Sequence, residues 1–158
     1  MIQLAHASKA PVPRSEEVKV VAWLYVAILV IMAISQLFAF EDLIPLMATY
    51  SLPGGYGSAV LASCMIVLTE IFAVPFLLRM PLSVLMRWVG LVCSVLVPVF
   101  WLKLIAWSYI NGIEIGNSGF LGTKVVLPVN SIMVCVSVAL LAIAIWVAWG
   151  LWPARKSK

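Results

Sequence analysis

The side chains able to carry chemistry in this 158-residue chain stand, with few exceptions, inside apolar runs. Glu70 lies near the middle of SAVLASCMIVLTEIFAVPFLL, residues 58–78, and Lys103 lies in a third such run. Gln36 and Ser63 add neutral polar groups to the first and second runs. An ionisable group deep in hydrocarbon is costly, so Glu70 is expected to face protein rather than lipid. Together these residues are the material of a polar pocket within a membrane. The plainer reading is an acid satisfied by neighbouring hydroxyls and carbonyls, beside a lysine that snorkels. No catalytic constellation is assembled by the sequence. The only histidine, His6, has no adjacent ligands, which argues against a haem or other metal site. Cys64, Cys93 and Cys135 are odd in number and form no C-x-x-C, so they read as small apolar fillers. Phosphate loops, hydrolase elbows and zincin motifs are absent from the sequence.

The elements that position these groups follow from composition. The chain is 65% hydrophobic and 10% charged, with mean hydropathy +1.15, values that a soluble domain of this size does not tolerate. It is therefore expected to be an all-α polytopic membrane protein, a bundle of four transmembrane helices. A net charge of +4 raises the question of nucleic acid, but the basic residues sit at the ends of apolar runs and form no stripe, so no nucleic-acid partner is expected. Residues 1–17 read as a mobile polar leader. Residues 18–40 are longer than a signal-peptide core and lack a convincing cleavage site, so they form an uncleaved first span. An external loop, 41–57, follows, in which residues 43–50 lie at the interface as a short helix or turn. The second span is 58–78, a tight turn carries Arg79 and Arg87, and the third span runs from about 88 to 110. The Gly- and Asn-rich connection 111–125 leads to a fourth span near 126–152, with Pro128 in its first turn, and residues 153–158 form a basic tail. With four spans, Lys9, Arg14, Lys19, Arg79, Arg87, Arg155, Lys156 and Lys158 share one side, leaving Lys124 on the other. Both termini are thus expected to be cytoplasmic, in a prokaryotic cell membrane.

Helical spacing places Ala59, Ala62, Ser63 and Ala73 on the face of Glu70, which predicts close contact with neighbouring helices and a carboxyl aimed into the bundle. Counting from the basic ends, Glu70 stands about 14 Å into the membrane, Lys103 about 24 Å and Gln36 about 25 Å. Lys103 is closer in level to Gln36, so a Glu70–Lys103 pair lies within a lysine's reach without being required. Glu41, Asp42 and Glu114 are its other open partners. Trp107, one turn above Lys103, is placed to cover its ammonium. Pro98 frees the carbonyl of Ser94 unless another group satisfies it. The seven tryptophans, Trp101 among them, also admit a plain reading as interfacial anchors.

A first span followed by FEDLIPLMATYSLP, then a second containing TEIFAVPFLL, resembles the four-helix membrane proteins of the MauE and DoxX-like group over about residues 20–147. The resemblance places Phe40, Tyr50, Leu52, Pro53 and Glu70 on that group's pattern of F-x(n)-Y-x-L-P and a glutamate leading into an apolar run. MauE-type members commonly carry a C-G-C-F-G-like motif after the third helix. This chain instead has Gly116, Asn117, Ser118, Gly119 and Phe120 there, without either thiol. Dithiol chemistry is therefore not implied, although the loop shape carried by Asn117, Gly119 and Phe120 is, for packing or for a partner.

Three functions remain open, and the first is preferred. It is a non-catalytic accessory or assembly subunit in contact with the bilayer and with other membrane subunits or copies of itself. The second is a redox component handling quinone or sulfur compounds. The third is a binder of a small apolar molecule or lipid between helices. No cofactor is required by the residues, while a quinone or lipid is what the latter two would take.

Overall fold

The computed structural model describes residues 7, 8 and 10–152; His6, Lys9, Arg155, Lys156 and Lys158 lie outside the described residues. Five helices follow one another: α1 (Glu16–Phe38), α2 (Phe40–Ala48), α3 (Tyr56–Leu77), α4 (Val84–Ile110) and α5 (Ser131–Leu151). Four of them, α1, α3, α4 and α5, are long and apolar enough to cross a membrane, so the chain is a multi-pass membrane protein of helical type.

Side-chain caps set the helix starts, and they move the expected boundaries. Ser15 accepts from the amide of Val18 and begins α1 two residues before the expected position. Ser83 accepts from the Met86 amide, which starts α4 at Val84 and shortens the turn before it. Asn130 takes the amides of Ile132 and Met133, so the fourth span begins at Ser131 and Pro128 lies outside it. At the other end of α1 the backbone breaks at Ala39 (φ −130°, ψ 44°). The Ala39 carbonyl then accepts from Asp42 and Leu43 and launches α2, the short helix anticipated near residues 43–50.

α3 packs against α1, α2 and α4, and α5 closes the ring by packing on both α4 and α1. Lipid is as apolar as a protein interior, so closeness of packing rather than hydrophobicity decides which face turns inward. Outward faces carry Trp23, Ile31, Leu61, Leu68, Val92 and Ile145. At two contacts a glycine admits the neighbour directly: a Cβ on Gly90 would strike the Phe76 side chain, and one on Gly150 would strike Val18. These contacts seat α4 on α3 and α5 on α1.

The described part of the leader is not a free tail. Ser8 pairs with Leu82 through an N–H to carbonyl bond of 3.0 Å, the Arg79 guanidinium donates to the Pro11 carbonyl, and the Arg14 amide donates to Gly150. The Arg14 guanidinium also lies 3.9 Å over the Trp149 ring. The leader thus runs beneath the bundle and joins the α3–α4 turn to the end of α5. Arg79 takes a left-handed conformation (φ 58°) at the close of α3, where the amide of Met80 bonds the Pro75 carbonyl and that of Arg79 bonds Phe76. Its bond to Pro11 offsets the strain that a non-glycine residue carries there.

In the centre of α4, Pro98 withholds the amide that would bond the Ser94 carbonyl. Tyr25 of α1 supplies the missing donor, its hydroxyl lying 2.6 Å from that oxygen, with the ring fully buried. A Tyr25→Phe variant is expected to lose about 1–3 kcal/mol of stability, because the carbonyl is then left unsatisfied. The loss should shrink in a Pro98→Ala background, where the helix regains its own donor; denaturation of the four proteins in detergent measures the coupling.

Candidate functional site: a buried polar cluster under an ordered cap

α3 turns Ala59, Ala62, Ser63, Ile66, Glu70 and Ala73 inward, and all are buried. Ser63 is satisfied locally, donating to the Ala59 carbonyl at 2.9 Å. Glu70 has no exposed surface; its Oε1 accepts from Gln36 Nε2 at 3.1 Å. The same Gln36 nitrogen donates to the carbonyl of Phe120, also at 3.1 Å. Gln36 and Glu70 meet although counting along straight helices sets them about 11 Å apart in level. That ruler compares Cα positions only, and two long side chains reaching toward each other span most of such a difference.

Trp101 of α4 completes the cluster and was missed among the candidate residues. Its ring is fully buried, 5.2 Å from that of Phe120, and its indole N–H lies near the Glu70 carboxyl without closing a well-formed hydrogen bond. It is not an interfacial anchor. The signal was available: Trp101 stands nine residues from the end of α4, about 13 Å inside it. Gln36 Oε1, Glu70 Oε2 and Trp101 Nε1 have no hydrogen-bond partner among the described residues.

Lys103 is not brought to this cluster. It follows Trp101 by two residues, about 200° round the helix, so an inward Trp101 turns it outward. It is exposed and makes no ion pair or hydrogen bond among the described residues. Asp42 of α2, one of its alternative partners, pairs at the exposed surface with Lys124 of the α4–α5 connection at 3.3 Å. Trp107 does not cover the ammonium by a cation-π contact; its indole N–H donates to the Tyr50 carbonyl at 3.0 Å. The cysteines are free, Cys64 and Cys93 half-buried and Cys135 exposed, so Cys135 is not a core filler.

The segment between α4 and α5 forms a cap over the cluster. Asn117 ties it together: Oδ1 accepts from the amides of Gly119 and Leu127, and Nδ2 donates to the Thr123 carbonyl. The Ser118 amide bonds Leu127 at 2.7 Å and that of Val129 bonds Ile115. Gly119 (φ 80°) and Gly122 (φ 70°) need the left-handed region, and each also lets the cap approach closely. A Cβ on Gly119 would strike Leu46 and Met47 of α2, and one on Gly122 would strike the Ser35 carbonyl of α1. Phe120 is buried beneath, against Trp101. Tyr50, fully buried, donates its hydroxyl to the Ser118 carbonyl at 3.0 Å. Burial raises the pKa of that phenol above its ordinary range and keeps it a donor. Pro53 stays exposed at the edge of α3.

The cluster is thus sealed, and its hydrogen bonds run from the bundle to the cap rather than to an open cavity. Compared with known proteins, the chain matches no protein-family model, no curated protein and no solved structure at a significant level.

Replacing Gln36 by Leu removes the donor to both Glu70 and Phe120. Amide hydrogen exchange across residues 111–130 is expected to accelerate about tenfold or more in that variant, the equivalent of losing one buried bond. Glu70→Gln retains an acceptor for Gln36 and should leave the cap's protection close to that of the unmodified chain.

Proposed function

We propose that this chain is a MauE/DoxX-like membrane protein serving as a non-catalytic accessory or assembly subunit, its capped end presented to a partner. The observation that carries this reading is the use made of Glu70. Its carboxyl is fully buried and is linked through Gln36 to the cap backbone, which is how an acid fastens a surface rather than how it meets a substrate. The cap is held from four sides, by α1 through Gln36, by α2 through the Gly119 contact, by α4 through Trp101, and by Tyr50. A preorganised surface of this kind loses little entropy on binding.

On this reading the protein belongs to a prokaryotic cytoplasmic membrane, with both termini inside. Arg79 and Arg87 bond the leader at the α3–α4 turn and Arg14 lies over Trp149 of α5 at the same end of the bundle, which supports that orientation by the positive-inside rule. The redox alternative rests on a different observation, the unpartnered polar atoms of Gln36, Glu70 and Trp101 beside the ring of Phe120, a set of donors and acceptors suited to a quinone.

Extraction of the tagged chain in mild detergent is expected to yield a complex with the same partner in repeated preparations, and Gln36→Leu should weaken that association while all four spans remain inserted. A monomer without a reproducible partner overturns the reading. Unchanged quinone-linked activity in membranes carrying Glu70→Gln removes the redox alternative. For orientation, cysteines placed at Ser8 and at exposed Glu114 in a background without the native thiols should differ, with only position 114 reacting with an impermeant reagent in intact cells.

A further inference from the structure

We propose that the lateral groove between α3 and α4 holds an anionic phospholipid of the surrounding bilayer, its phosphate on Lys103 and one acyl chain running toward Met65 and Phe100. The groove has a volume of about 580 Å³, within the range of about 300–1,000 Å³ that small-molecule sites occupy. Its wall is almost wholly apolar, and among the described residues Lys103 is the only charged side chain lining it. Leu52 and Trp107 bound it at the capped end, while Leu61 and Met65 border its open side toward lipid, 64% and 39% exposed.

Depth selects the occupant. α4 has 27 residues and is therefore about 40 Å long, against a hydrocarbon thickness of about 30 Å, so its ends overhang the core. Lys103 lies seven residues, about 10 Å, from the capped end. With the overhang shared between the two ends, its Cα sits a few Å inside the hydrocarbon, and the side chain lifts the ammonium to the level of lipid phosphates. No protein group among those described neutralises that charge. An anionic lipid does so while filling the apolar channel below, whereas a neutral one fills the channel and leaves the ammonium unpaired. The inference stands apart from the accessory-subunit reading, since the groove opens sideways to the bilayer and not through the cap.

The full chain is reconstituted in nanodiscs containing equal amounts of phosphatidylcholine and phosphatidylglycerol, transferred to mild detergent, and its retained lipids are identified by native mass spectrometry. The unmodified protein is expected to keep one phosphatidylglycerol preferentially. Lys103→Gln should reduce that preference about fivefold, and Lys103→Arg should preserve it. Leu61→Trp, which narrows the groove from its exposed side, should lower retention of both lipids. A photoreactive side chain at position 61 should cross-link to lipid. Wild-type preference in Lys103→Gln, undiminished retention in Leu61→Trp, absence of any preference in the unmodified protein, or cross-linking at position 61 to another polypeptide would each overturn the proposal.

Discussion

One amide nitrogen joins the interior of this protein to its surface. Gln36 Nε2 donates to the Glu70 carboxyl and to the Phe120 carbonyl, both at 3.1 Å. Buried in a bundle with lipid outside, neither acceptor can turn to water, so the unpaired alternative is costly for each. The glutamine therefore fixes the relation between α1 and α3 and, at the same atom, the height at which the cap settles. Phe120 then brings its ring to Trp101, and the third long helix is drawn into the same arrangement.

The remainder of the bundle answers a different constraint. With apolar side chains on every face, burial energy alone cannot distinguish inside from outside, and steric fit takes over. Gly90 beneath Phe76, Gly150 against Val18 and Gly122 on the Ser35 carbonyl are positions where any side chain collides. Polar groups refine that fit: Tyr25 repairs the helix that Pro98 interrupts, and Tyr50 spans from the cap to the indole of Trp107. Each of these bonds joins segments far apart in sequence, which gives the helices a defined register rather than a merely favourable contact.

Much of this is legible in the sequence, and what is not turns on azimuth, capping and backbone contacts. Apolar runs of membrane length and the basic residues between them led to four spans, and small residues at helical spacing beside Glu70 led to an inward-facing carboxyl. The orphaned carbonyl of Ser94 was also inferable, since proline's missing donor is a local fact; that Tyr25 would fill it was not, because the two lie 69 positions apart. The sequence leaves a Glu70–Lys103 pair open because depth is compared there without azimuth. Once Trp101 is known to point inward, the two-residue spacing turns the lysine out. The start of the fourth span was misplaced because Pro128 suits a first turn, whereas Asn130 supplies two hydrogen bonds that a proline cannot. The leader was read as free from its polarity, but its contacts with Leu82 and Gly150 are made largely by backbone groups, which every residue possesses.

The order of the residues along the chain bears on how such a protein is made. Gln36 precedes Glu70, so as synthesis proceeds the glutamine is already in place when the acid enters the membrane. A carboxyl delivered into hydrocarbon thus has a partner waiting, while the nearby indole of Trp101 and the Phe120 carbonyl that shares the Gln36 donor arrive later. The bundle can be assembled from its first two spans outward, each new segment finding a polar group that the preceding ones have positioned, and the cap closes only after the third span has been laid down.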